Sequence, residues 1–265
     1  MSTLSFSNIG TYGWYGNQLY QIASTIGIAN KNGMDYLFPT WKYSKYFKKE
    51  LPQLPKPELD LIKGGYIDRE GPHHFEEVII PDKTKNWDIG GYLQSEKYFE
   101  HCKDLVFSYL ELKDEYSDFI KTTFDPILSK KNCAIHVRRG DYANFPAYHP
   151  MLGMDYYNKA MSHFDDDTLF IVFSNDMDWC KANFIGDKFV FIDGGDKTLG
   201  GDVIIEHNLM SMCQNIITAN SSFSLWASIL NKNPDKKIIC PSVWFGPALR
   251  GHRLEDTYPK NSIII

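Results

Sequence analysis

Strand-like apolar runs punctuate the second half of the chain at Cys133–Val137, Leu169–Phe173, Phe189–Ile192, Asn215–Ala219 and Lys237–Cys240. Between them the apolar positions switch to helical spacing, near Met154–Phe164, Asp178–Phe184, Asp202–Cys213 and Phe223–Asn231. Ile205, Leu209, Met212 and Cys213 share one helical face in the third, and Phe223, Trp226, Ala227 and Leu230 share one in the fourth. Short strands alternating with short helices predict a parallel sheet with helices on both faces, whose ligands bind beyond the carboxyl ends of the strands.

The first half opens in the same way. Leu4–Ile9 reads as a strand and Thr11–Gly16 as a Gly-containing loop. A helix follows in which Leu19, Ile22, Ala23 and Ile26 face one way, stopped by Asn32-Gly33 before a strand at Met34–Phe38. The text from Pro39 to Pro81 is irregular, and a helix-rich stretch from Glu96 to Leu128 leads into the second half. The pattern places a boundary near Lys130, dividing the chain into domains 1–130 and 131–265.

Composition adds exclusions. At 265 residues, 43% hydrophobic and 23% charged, the chain has the make-up of a globular protein with a substantial core. A net charge of -5 argues against general nucleic-acid affinity, so any anion site is local. The basic cluster from Lys42 to Lys49, interleaved with Trp41, Tyr43, Tyr46 and Phe47, reads as a solvated helical face with a buried aromatic side. Five widely spaced cysteines without a C-x-x-C suggest neither a zinc site nor a disulfide framework. No apolar stretch marks a signal peptide or membrane anchor, so the expectation is a soluble cytoplasmic protein in which the sequon Asn220-Ser221-Ser222 carries no glycan.

The richest stretch chemically is His136-Val137-Arg138-Arg139-Gly140-Asp141-Tyr142. Arginine carries five donors in a planar fork that suits phosphate oxygens. Side chains alternate along a strand, so both arginines can meet one ligand only if the Gly140 turn redirects Arg139. Two readings stand: a phosphate clamp, or an Arg–Asp brace with Asp141 as partner. Gly16-Asn17-Gln18 opens the first helix, either as an Asn N-cap or as an approach to a sugar or diphosphate. Asn220-Ser221-Ser222-Phe223 precedes the last amphipathic helix, and Ser174-Asn175-Asp176 follows the strand Leu169–Phe173. Each suits a helix cap, and each also suits a phosphate-facing loop of a doubly wound sheet. Asp165-Asp166-Asp167 precedes its strand, at the rim away from these loops, and reads as a solvated helix end. His73-His74 lacks a ligand-spaced partner and reads as surface loop.

Taken in order, these segments resemble the α-1,2-fucosyltransferases of glycosyltransferase family 11. Gly13-Trp14-Tyr15-Gly16-Asn17-Gln18-Leu19-Tyr20-Gln21-Ile22-Ala23 is similar to the family's G-x-x-G-N-Q-x-x-Q-x-A, and its H-V-R-R-G-D-Y appears unaltered. Gly91-Tyr92-Leu93-Gln94-Ser95-Glu96-Lys97-Tyr98-Phe99 resembles G-Y-x-Q-S-x-x-Y-F, and Phe173-Ser174-Asn175-Asp176 resembles F-S-D-D with one Asp replaced. Leu209-Met210-Ser211-Met212-Cys213 and Ala219-Asn220-Ser221-Ser222-Phe223-Ser224 fit L-M-S-x-C and A-N-S-S-F-S. Trp14-Tyr15 stands where Arg-Leu is usual, and Leu225 where the family has the first Trp of S-W-W.

The resemblance implies a GT-B-type α/β fold, two Rossmann-like doubly wound domains facing a cleft. It implies an inverting, metal-independent transfer of L-fucose from GDP-β-L-fucose to the 2-hydroxyl of a galactosyl glycan, with the donor as substrate and no other cofactor. Arg138, Asn17, His136 and Asp141 would form the catalytic group. Gly16, Asn17, Gln18, Arg138, Arg139, Ser174, Asn175, Asp176, Asn220, Ser221, Ser222 and Phe223 would hold the donor. The general base stays open among Asp141, His136 and water. The implied partners are a GDP-sugar and a glycan, with no nucleic acid and no membrane segment, as in soluble bacterial or viral members. The alternatives are transfer of another GDP-hexose, or a catalytically silent sugar- or nucleotide-binding protein.

Overall fold

The computed structural model describes residues 2–11, 13–55, 64–69, 74–192, 203–249 and 251–265. They form two compact units, one of residues 1–113 with 252–257 and one of residues 114–251 with 258–265.

The first unit carries a four-stranded parallel sheet in the order β2-β1-β4-β3, with β1 Thr3–Ser5, β2 Asp35–Leu37, β3 Gly65–Arg69 and β4 Trp87–Gly91. Helix α1 (Tyr15–Lys31) connects β1 to β2 and buries residues all around its circumference. Gly27 allows this close packing, since a Cβ there would lie 2.1 Å from the Tyr98 carbonyl oxygen. The Lys42–Lys49 segment holds only a 3-10 turn at Ser44–Tyr46, where a longer helix was expected. Its two faces divide as read, with Trp41, Tyr46 and Phe47 buried and the lysines outside. The rings of Trp41 and Phe47 stack at 5.4 Å, and Tyr15 stacks on Trp41.

The second unit holds a six-stranded, all-parallel sheet. Its strands are β5 Asn132–Val137, β6 Leu169–Ser174, β7 Phe189–Ile192, β8 Asn215–Ile217, β9 Ile238–Cys240 and β10 Ile263–Ile264. They lie in the order β7-β6-β5-β8-β9-β10. The chain therefore leaves the central β5 first to one side and then to the other, which puts a topological switch point between β5 and β8. Helices α4 (Met154–Met161), α5 (Met177–Asn183), α6 (Val203–Met212) and α7 (Ser222–Leu230) fill the intervals. Every residue of β5 is buried, as a strand covered on both faces requires. Ile135, Val137, Val172, Ile217 and Ile239 form the centre of the core, with Tyr157, Cys180 and Phe184 packed against them.

The helix-rich stretch resolves into α2 (Lys103–Ser108) and α3 (Asp114–Leu128). Helix α3 packs on α6 through an inner face that includes Ile120 and Phe124, so the units divide at Lys113 and not near Lys130. Only Ile120 and Phe124 of α3 are buried, and its outer side is solvated. The five cysteines are unpaired, and four of them are buried. Among the described residues, no helix is long and apolar enough to cross a membrane.

Candidate active site

In the second unit, the loops leaving β5, β6 and β8 meet at the carboxyl edge of the sheet. Asn175 joins the first two. Its Oδ1 accepts hydrogen bonds from the backbone N–H groups of Arg139 (3.0 Å) and Gly140 (3.2 Å), and its Nδ2 reaches Asp141 Oδ1 at 3.4 Å. Gly140 has to be glycine for this approach, because a Cβ there would stand 2.6 Å from Asn175 Nδ2. Tyr142 joins the first loop to the third, its hydroxyl donating to the Asn220 carbonyl at 2.9 Å.

The two arginines part company. Arg138 Nη2 donates to Asp141 Oδ2 at 2.8 Å, and its guanidinium lies 5.5 Å from the Tyr142 ring centroid, on the side of the switch point. Arg139 turns the other way. Its Nε donates to Asp176 Oδ2 at 3.2 Å, and its guanidinium lies 4.1 Å over the Trp179 ring. Asp176 is also the N-cap of α5, accepting from the Trp179 N–H at 3.3 Å, while Ser174 Oγ accepts from the Asp176 N–H at 2.9 Å. Arg139 is thus bound into the start of α5 by an ion pair and a cation–π contact. Strand alternation continues past Val137, and the Gly140 turn does not bring the two guanidinium groups together. The expected Arg–Asp141 brace is made by Arg138, while Arg139 pairs with Asp176 instead.

His136 is buried at the end of β5, with Nδ1 2.9 Å from Ser224 Oγ. Burial first, then the Arg138 and His207 charges, lower its pKa to about 3. It stays neutral and ties β5 to the first turn of α7, whose Ser224 also bonds the Ala219 N–H and the Ser221 carbonyl. Phe223 lies against both His136 (5.3 Å) and His207 (4.9 Å), and burial likewise lowers the pKa of His207 to about 3. Ser221 is the N-cap of α7 and Ser222 its first residue. Asn220 is 1% exposed and donates to the Pro150 and Trp244 carbonyls, which leaves no room for a glycan on the sequon.

In the first unit, Trp14 is the N-cap of α1, so Gly16, Asn17 and Gln18 fall inside the first turn and Asn17 is not the cap. The cap lacks a side-chain bond because Trp14 has no oxygen to offer. Asn17 Oδ1 accepts from Gln94 Nε2 at 2.9 Å, uniting the Gly-Asn-Gln segment with the Gly91–Ser95 segment that leaves β4. Leu93 adopts a left-handed conformation (φ 50°) and directs its carbonyl to Ser24 Oγ. Gln18 is buried and accepts from the Trp41 indole at 2.9 Å. Gly13 is also in the left-handed region (φ 67°), and any Cβ there would collide with Asn17.

The remaining expectations separate cleanly. Asp165 and Asp167 both pair with Lys131 at the amino ends of β5 and β6, the edge away from the site. His74 bonds Glu76 with its side chain mostly buried, where a surface position was expected, while His73 falls outside the described residues. Among the described residues, no cluster of three or more histidine, cysteine or carboxylate side chains could hold a metal ion. Tyr142 and Ser224 stood inside the quoted segments without being singled out as site residues, and residue order did not point to Trp179 or His149.

The chain resembles proteins of known activity. Residues 59–262 match the model of glycosyl transferase family 11. An O-antigen biosynthesis glycosyltransferase, WbnK of Escherichia coli, is 29% identical over 70% of this chain and 64% of its own length. An alpha-1,2-colitosyltransferase of the same organism is 34% identical over 58% of this chain and 55% of its own. Galactoside alpha-(1,2)-fucosyltransferase 1 of Rattus norvegicus is 25% identical over 82% of this chain and 61% of its own. The chain thus spans less than two thirds of each of these relatives. Among solved structures, the fucosyltransferase NodZ from Bradyrhizobium superposes with a TM-score of 0.55 at 13% identity, over 86% of this chain and 92% of that one. Arabidopsis thaliana FUT1, a mutant in complex with GDP, gives 0.57 at 16%, over 97% and 74%. These are GT-B glycosyltransferases, and the two parallel α/β sheets described above are that fold.

Proposed function

The chain belongs to glycosyltransferase family 11, and on that premise we propose that it moves L-fucose from GDP-β-L-fucose to the 2-hydroxyl of a galactosyl glycan. The transfer inverts the anomeric centre and uses no metal. The observation that carries the reading is Arg138, a guanidinium held by Asp141 at the β5/β8 switch point with further N–H groups to offer.

As the bond from the sugar to the diphosphate breaks, negative charge gathers on the departing GDP. A cation already oriented by Asp141 and Tyr142 stabilises that charge without reorganising, so its effect is larger in the transition state than in the bound ground state. Such a bond to a charged oxygen contributes roughly 1.5–3 kcal/mol. Ser221, Ser222 and Phe223 line the same edge and hold the nucleotide. Asn175 and the Asp176–Arg139 pair fix the shape of the loop. Asn17 is oriented within the first unit by Gln94. His136 is a weak base for this step, since burial first, and then Arg138, lower its pKa to about 3.

The relatives named for α-1,2 transfer of fucose and of colitose support the linkage and a deoxyhexose donor. A second reading follows from the colitosyltransferase: GDP-activated colitose as donor. Incubation with GDP-fucose, other GDP-hexoses and a small galactoside panel, with NMR assignment of the product linkage, decides between them. Loss of GDP-sugar binding altogether would refute both readings. Binding without GDP release under any acceptor would leave a silent binding protein.

A further inference from the structure

His149 belongs to none of the segments that carry the family resemblance, yet the fold delivers it to the switch point. Its ring stacks on Tyr142 with centroids 4.6 Å apart and planes 18° from parallel. Its backbone N–H donates to the Phe145 carbonyl at 3.0 Å. The flanking residues are tied to the loops after β8 and β9: Pro150 O accepts from Asn220 Nδ2 at 3.0 Å, and Tyr148 O accepts from the Gly246 N–H at 2.8 Å. Tyr142 itself reaches the Asn220 carbonyl. The imidazole is therefore fixed from both loops that border the crevice.

The ring is half-buried, and Nδ1 is sealed from solvent without a hydrogen-bond partner. Buried orphan N–H groups are rarer and costlier than orphan acceptors, which favours the tautomer with its proton on Nε2. Burial lowers the pKa, Asp141 opposes it, and Arg138 adds a smaller lowering. These are the charged groups that act on the ring, together with the neutral phenol of Tyr142. A neutral imidazole protonated on Nε2, beside an arginine, offers a donor and no charge.

We propose that His149 is a second hydrogen-bond donor to the diphosphate of the bound GDP-sugar, reinforcing Arg138 from the neighbouring turn of the same loop. The proposal rests on the reading that this edge binds a GDP-sugar. His149 contributes through Nε2–H, and its stacking on Tyr142 sets the direction of that bond.

The experiment compares GDP-fucose binding by calorimetry, without acceptor, in the wild type, His149→Phe and His149→Gln. Phenylalanine keeps a flat ring against Tyr142 and removes the donor. Glutamine removes the ring, and its amide nitrogen reaches about as far as Nε2. The expected result is a Kd raised about tenfold in His149→Phe and restored to within about threefold of wild type in His149→Gln. Wild-type affinity in His149→Phe overturns the proposal. So does equal weakening in both variants, which would make the ring a packing element only. Absence of GDP-fucose binding in the wild type removes the proposal together with the reading it rests on, whereas tight wild-type binding that His149→Phe leaves untouched removes the proposal alone.

Discussion

The Tyr142 hydroxyl donates to the Asn220 carbonyl at 2.9 Å, so the loops after β5 and β8 are bonded to each other across the switch point. Tyr142→Phe removes this bond and leaves the ring in place. Burial pushes the Tyr142 phenol up to about 12, and it remains a donor across the working range. The variant is expected to lose about 1 kcal/mol of stability, read by urea denaturation, and to bind GDP-fucose more weakly while Arg138 still pairs with Asp141.

Arg139 and Arg138 have different expected fates. Arg139→Ala strips Asp176 of its partner and uncovers Trp179. A partly buried pair with a cation–π contact is worth about 1–2 kcal/mol, so the melting temperature should fall by several degrees. The affinity for GDP-fucose should change less than in Arg138→Ala. Parallel thermal melts and calorimetry on both variants test the division.

Gly140→Ala introduces a Cβ 2.6 Å from Asn175 Nδ2. Asn175 is held by two backbone N–H groups and cannot move away without breaking them. A cost of about 1–3 kcal/mol is expected, together with weaker donor binding. Gly140→Ala combined with Asn175→Ala should regain part of the stability but none of the affinity, since the loop loses its anchor.

Acid should destabilise the second unit through His136 and His207. Both have folded pKa values of about 3, below the unfolded value of 6.5. A folded pKa below the unfolded one means the unfolded chain binds the proton more readily. The stabilisation is therefore complete above about pH 6.5 and is lost as pH falls toward 3, by up to about 1.4 kcal/mol per pH unit for each histidine. Urea denaturation across that range, in wild type and His207→Gln, should show a shallower acid slope in the variant.

Much of the second unit was legible because its strands are buried on both faces and read as unbroken apolar runs. The first unit hid two strands. β4, Trp87-Asp88-Ile89-Gly90-Gly91, carries two glycines and a buried aspartate that accepts from Ser7, so it shows no apolar run. Gly90 is needed there because a Cβ would meet Tyr66 Oη at 1.6 Å. β3 alternates half-buried and exposed positions beside it and left only a Tyr and an Ile as signal. The site loops were visible through their caps: Ser221 and Asp176 cap α7 and α5. The divergence of the two arginines was legible in strand alternation, but the partner each one meets was not, because that depends on which strands flank β5, a property of strand order that no local pattern encodes. His149 left no trace in spacing, since its position comes from the Asn220–Pro150 bond across the sheet.

The central claim is that Arg138 stabilises a departing GDP at the switch point while Arg139 braces α5. Single-turnover release of GDP from GDP-fucose, with a galactoside acceptor present, tests it in the wild type, Arg138→Ala and Arg139→Ala. The account predicts a rate about a hundred- to a thousandfold lower in a folded Arg138→Ala protein, and a loss of less than about tenfold in Arg139→Ala once its lower stability is allowed for. Equal losses in the two variants, or near-wild-type release by Arg138→Ala, would contradict it.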